Sequence, residues 1–148
     1  MLKKTILLIT LVFSLTSLSY AENNRTVSLR DGSVMKVSYN LIEKWSADCK
    51  KGDGDACYKV GRAWSDHNAV EFIDMFESYK YMKIGCQKKN GEACFCLGKK
   101  YSKGIGTIVN ANRAIKSLEC AVKKGAEGAE EELEKVKHQK PTKSNYHL

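Results

Sequence analysis

The spacing of apolar positions changes near residue 40 and divides the chain into an alternating part and a helical part. Before that point Val27 and Leu29 alternate with Ser28 and Arg30, Asp31-Gly32 interrupts, and Val34, Met35 and Val37 follow. Asp-Gly between alternating runs predicts a β-hairpin. Two strands alone are only marginally stable, so the hairpin is expected to pack on the first helix or to extend a partner's sheet.

Beyond it the period is helical, and six helices are predicted. Asn40 caps the first, which runs to Lys51 with Leu41, Ile42 and Trp45 on one face and stops at Gly52. Asp55 opens the second, through about Trp64, with Ala56, Val60 and Ala63 inward, and a loop follows over 65–68. The third covers about 70–88 and spaces Phe72, Phe76, Tyr79 and Met82 helically. The fourth covers 92–102 and ends at Gly104. The fifth opens near Asn112, carries Ile115, Leu118 and Val122, and ends at Gly125. The sixth covers about 128–138, and the only proline, Pro141, lies in a basic tail, 139–148, expected to be disordered.

A repeat runs through these helices. Cys49 and Cys57 enclose seven residues, as do Cys86 and Cys94, and the second pair lies 37 residues after the first. Gly61 and Gly98 follow in the same register. Ala93 and Cys94 return one period of 36 later as Ala129 and Glu130, and Gly85 and Cys86 as Ala121 and Val122. A fixed period in this range means stacked helix pairs, and a last unit without cysteines and with a charged helix, Glu130 to Lys135, reads as a capping repeat. The fold class is therefore all-α, a short solenoid of α/α hairpins over 40–138, with the small hairpin extension over 22–39.

The first 21 residues change where this solenoid is expected to work. Lys3 and Lys4 precede an apolar run from Ile6 to Leu18, and Ser19-Tyr20-Ala21 offers small residues at a cleavage site. This is the pattern of a secretory signal, with an uncleaved anchor as its rival. No later run is apolar and long enough to span a membrane, so a periplasmic or secreted protein is expected. Six cysteines in such a chain read as three disulfides, for which 15 connectivities exist. The repeat selects Cys49–Cys57 and Cys86–Cys94, each across a helix–turn–helix joint and each stabilising by roughly 2 to 3 kcal/mol. Cys96 and Cys120 are then left to pair with each other.

The residues from Ala93 to Ala129 carry a family resemblance. Ala93, Leu97, Gly98, Tyr101, Gly104 and Gly106, followed by Ala114, Ala121, Gly125 and Ala129, match the pattern of a Sel1-like (tetratricopeptide-related) repeat. The cysteine pairs resemble the Helicobacter cysteine-rich protein branch of that family. The likeness covers about 41–138, and the first unit departs from it, with Ser65-Asp66-His67-Asn68 where the Gly-x-Gly loop belongs. The resemblance implies an exported solenoid that binds proteins or peptides on a concave face, an immunity or host-interaction protein being one version. It also implies an alternative, a penicillin-binding protein or β-lactamase-like hydrolase.

The residues give that alternative little. Ser33-Val34-Met35-Lys36 is the only S-x-x-K, it falls in the hairpin, and neither S-D-N nor K-T-G occurs. His67, His138 and His147 are scattered, and Cys94-Phe95-Cys96 lacks the spacing of a zinc site. No catalytic residue, metal site or cofactor is assigned. The net charge of +8 comes from 25 Lys and Arg against 17 Asp and Glu, and loss of Lys3 and Lys4 lowers it to +6. Only four of these are Arg, and lysine interleaved with Glu reads as solvated helix faces, so nucleic acid is excluded. Among the aromatic residues, Phe95 is grouped with five candidate binding residues, Tyr58, Trp64, Tyr79, Tyr81 and Tyr101, which serve either as inter-helix core or as a peptide groove. Gly104-Ile105-Gly106 reads as a turn rather than an anion cradle, and Asn24-Arg25-Thr26 as a sequon without consequence in a bacterial export. The expected partner is a protein or peptide outside the cytoplasm, bound by a monomer.

Overall fold

Val27 and Val37 decide where the hairpin lies. The structure, a computed structural model, describes residues 25–66 and 73–139. Strands β1 (Arg25–Ser28) and β2 (Val34–Val37) pair antiparallel, with Arg25 opposite Val37 and Ser28 opposite Val34. That register puts Val27 and Val37 on one face, both almost fully buried against Ile42, Val60 and Ala63. The hairpin packs on the first helix pair, as its instability alone requires. The proposed signal, Asn24, Phe72, His67, His147 and the tail from 140 onward lie outside the described residues.

Six helices follow among the described residues: α1 (Tyr39–Lys51), α2 (Gly54–Ala63), α3 (Met75–Gln87), α4 (Gly91–Lys103), α5 (Ala111–Lys123) and α6 (Ala129–His138). Their starts correct four expectations. Ser38, not Asn40, caps α1, accepting the Leu41 N–H, because β2 ends one residue earlier and leaves Ser38 extended. Asp53, not Asp55, caps α2 through two backbone N–H groups at 2.9 and 3.0 Å. Asp74 caps α3, which therefore starts at Met75 rather than near 70. Asn110, not Asn112, caps α5. In each case a short polar side chain with extended backbone satisfies an orphan N–H, and the acidic or amide residue downstream is already helical.

The repeat is visible atom by atom. A Cβ at Gly61 would stand 3.0 Å from the Met82 side chain, and one at Gly98 would stand 2.6 Å from Leu118. Met82 and Leu118 are equivalent positions of α3 and α5, each lying on the preceding unit's second helix. Likewise Gly54 abuts Lys88, and Gly91 abuts Lys124, at the two joints. Ser78, fully buried, donates its hydroxyl to the Gly61 carbonyl at 2.7 Å and fixes α3 on α2. A larger core from Tyr58 to Val136 spans the later units, and a smaller one lies beneath the hairpin. Phe76 is the exception among the apolar positions expected inward. It is 59% exposed, because α3 starts late, and it leans on Tyr79 with ring centroids 6.4 Å apart.

Gly85 is the tightest test of this packing, since an added Cβ would meet the short Ala93 Cβ at 2.7 Å and Cys57 at 3.2 Å. Neither neighbour has a flexible end to move aside. Gly85→Ala is expected to lower stability by about 1–3 kcal/mol despite alanine's better helix propensity. Urea unfolding followed by circular dichroism measures the difference.

Candidate functional site

The first helices of the units, α1, α3 and α5, form one face, and two grooves run between them. The groove between α3 and α5 encloses a cavity of about 480 Å³ with Leu97 and Tyr101 of α4 among its lining residues. Lys83 and Lys89 border it from the α3 side, Arg113 and Lys116 from α5, and no carboxylate belongs to its lining. Tyr101 is buried, and its ring meets Tyr79 edge-on with centroids 5.7 Å apart. Their hydroxyls are 3.1 Å apart. Burial pushes the Tyr101 phenol above its ordinary value, and either hydroxyl can donate to the other. The Arg113 guanidinium lies 5.8 Å from the Tyr101 ring centroid, within cation–π range. The second groove, between α1 and α3, is lined by Trp64 and Tyr81 together with Glu43 and Glu77. Tyr81 donates to the Ser46 hydroxyl at 3.2 Å.

Four of the five candidate aromatic residues thus lie at or beside these grooves, and Tyr58 does not. It is 5% exposed, on the opposite side, where its hydroxyl accepts the Arg30 N–H at 3.4 Å. The hairpin tip lies over that side and leaves a cavity of about 320 Å³ there, lined by Arg30, Arg62, Phe95, Cys96, Lys99 and Lys100 among others. Arg30 stacks 3.4 Å above the Phe95 ring centroid, pairs with Glu92 at 3.2 Å and donates to the Glu127 carbonyl. Arg62 donates to the Ser28 carbonyl. Lys100 is buried nearby, and burial pulls its ammonium below the ordinary lysine value.

Cys49–Cys57 and Cys86–Cys94 are both formed. Cys96 and Cys120 are not joined; both are free thiols. The expectation of a third bridge fails on helix geometry. Cys94 and Cys96 are two residues apart on α4 and so project about 200° apart. Cys94 turns toward α5, where the Cys120 sulfur lies 3.0 Å from its own. Cys96 turns toward Arg30, Arg62 and Lys100, and burial pushes its thiol up. Ser33 sits in the hairpin connection, exposed, with its hydroxyl donating to Asp31 at 2.6 Å. That hydrogen bond holds the Asp31 carboxyl below its ordinary value. His138 is exposed at the end of α6, 3.6 Å from Glu134.

No family model matches the chain, and no curated protein matches it. Solved structures do. Helicobacter pylori cysteine rich protein B is similar over 64% of this chain and 70% of its own, with 26% identity and a TM-score of 0.59. A Sel1 repeat protein from Oxalobacter formigenes is similar over 62% of this chain and 37% of its own, with 18% identity and a TM-score of 0.58. The chain has the fold of a Sel1-like repeat solenoid. Its Gly-x-Gly loop has a structural use: Gly104 and Gly106 both adopt left-handed backbone, and a Cβ at Gly106 would overlap the Met75 carbonyl. The loop is a close-packed turn against the start of α3.

The cation pattern of the Sel1-like groove escaped the sequence because Lys83 and Lys89 stand some 30 residues from Arg113 and Lys116. A signal existed in Arg113 and Lys116, three apart on one helix face. Burial beneath the hairpin pushes the Tyr58 phenol up to about 12. The unfolded phenol ionises near 10. The folded state therefore loses stability as pH rises from about 10 to about 12, when only the unfolded chain releases this proton. Ultraviolet titration should show one tyrosine ionising last, and Tyr58→Phe should remove that step.

Proposed function

We propose that this chain is an extracytoplasmic protein-interaction module that holds an extended acidic segment of a partner protein in the groove between α3 and α5. The observation that carries the reading is the lining of that groove, with four cations, no carboxylate and an apolar surface from Leu97 and Tyr101. Such a lining suits a peptide that presents carboxylates to the rim and an apolar or aromatic side chain to the floor. Repeat solenoids use extended surfaces of this kind, assembled from equivalent helices, to bind proteins. The two disulfides favour an oxidising compartment, consistent with the export signal read in the sequence. No helix among the described residues is long and apolar enough to cross a membrane. The second groove carries Glu43 and Glu77, and in the cavity beneath the hairpin tip Arg30 is already paired with Glu92 and Arg62 with the Ser28 carbonyl, so the acidic segment is assigned to the α3–α5 groove.

The α3–α5 cations are exposed, so their contribution should be sensitive to screening. Fluorescence anisotropy with a labelled peptide that alternates Glu with Leu or Phe provides the measurement. Binding is expected to weaken with added salt. The double reversal Lys83→Glu with Arg113→Glu should weaken it about tenfold, or about 1.4 kcal/mol. Equal binding of a Lys-for-Glu peptide, or indifference to the double reversal, would refute the assignment.

A further inference from the structure

The wall of the same groove contains an unusual group of sulfurs. Cys86, Cys94 and Cys120 have their sulfur atoms within 4.8 Å of one another. Two of them are a disulfide, and the third is a free thiol. Cys94 is fully buried, whereas Cys86 and Cys120 are half-buried and line the cavity. The Cys120 sulfur touches one particular end of the disulfide, standing 3.0 Å from Cys94. A covalent bond between them needs an approach of about 1 Å more, given the ordinary S–S length near 2.05 Å.

We infer that Cys86, Cys94 and Cys120 form a thiol–disulfide exchange centre, in which Cys94 is the central sulfur and Cys86 and Cys120 alternate as its partner. The forward step begins when Cys120 gives its proton to solvent. Its thiolate attacks the Cys94 sulfur, the Cys94–Cys120 bond forms, and the Cys86–Cys94 bond breaks. Cys86 leaves as a thiolate and takes a proton from solvent. Nothing is oxidised or reduced overall, so the step needs no partner reagent. The reverse step has the same chemistry.

Two features bear on the balance. The Cys86–Cys94 bridge closes a separation of 8 residues, and Cys94–Cys120 would close one of 26. The longer closure restricts the unfolded chain more, so the exchanged bridge would hold the fold more strongly against unfolding, while folded geometry sets the balance between the two forms. Against the exchanged bridge stands the native joint between α3 and α4, which the first bridge fits and which the step releases. The exchange moves the covalent staple from the joint α3–α4 to the pair α4–α5. It also changes which thiol faces the groove, Cys120 before the step and Cys86 after it. A reactive thiol at the edge of a cationic groove is placed to form a mixed disulfide with a bound segment that carries a disulfide of its own.

Alkylation mapping tests the proposal. The oxidised chain carrying Cys96→Ser, which silences the remaining thiol, is treated with iodoacetamide above about pH 8.5, where thiolates are abundant. It is then quenched in acid and digested without reduction for mass spectrometry. Label is expected on both Cys120 and Cys86, with a Cys94–Cys120 bridge in the molecules labelled at Cys86. Label confined to Cys120, with Cys86–Cys94 as the sole bridge, overturns the proposal. Adding Cys120→Ser should reduce Cys86 labelling to background; labelling that persists there would mean simple reduction and also overturns it. Cys86→Ser supplies a second variant, since it leaves Cys94 and Cys120 to join on oxidation. A helical protein that keeps both as free thiols counts against the centre.

Discussion

Close approach between the second helix of one unit and the first helix of the next governs this molecule. At Gly61 and Gly98 the missing side chain admits Met82 and Leu118, and at Gly85 the helix lies against Ala93 and Cys57. The helices have only 10 to 13 residues each, too short to persist alone in water. They hold because each unit buries its apolar face on its neighbour. The disulfides act within each unit instead, joining its first helix to its second and restricting the unfolded ensemble where the folded chain turns most sharply. The last unit has no bridge. It relies on Ala121, Ala129, Leu133 and Val136, all buried, while Glu130 and Glu131 face water.

This explains why the architecture was legible and some of its details were not. A period of 37 or 36 residues fixes which positions meet, so Gly61, Gly98 and the two bridged cysteine pairs could be placed from sequence. Helix starts depend on the backbone angle of one residue. Where Asp53 stands beside Asp55, or Asn110 beside Asn112, composition alone does not choose the cap. Pairing Cys96 with Cys120 by elimination used only the even count. Helix direction, which sends Cys94 and Cys96 to opposite sides, overrides that arithmetic. The groove was half legible: its aromatic members stood out, but lysines from separate units appear as ordinary solvated charge until α3 and α5 are set side by side.

The hairpin then decides which side of the solenoid stays open. Its valines fill the gap over the first unit, and Arg30 reaches Phe95, Glu92 and the Glu127 carbonyl in the later two. A stacked, paired guanidinium loses little further entropy when it joins several groups, because its planar fork is already arranged for them. One short extension therefore ties all three units together on the side formed by α2, α4 and the start of α6. It occupies the surface that Tyr58, Phe95 and Cys96 would otherwise expose. The opposite side, between α1, α3 and α5, has no such cover among the described residues, and it is there that Tyr101, the four cations and the Cys120 thiol converge. The asymmetry is physical rather than topological: equivalent helices build both sides, and only one of them is partly covered by the chain's own hairpin.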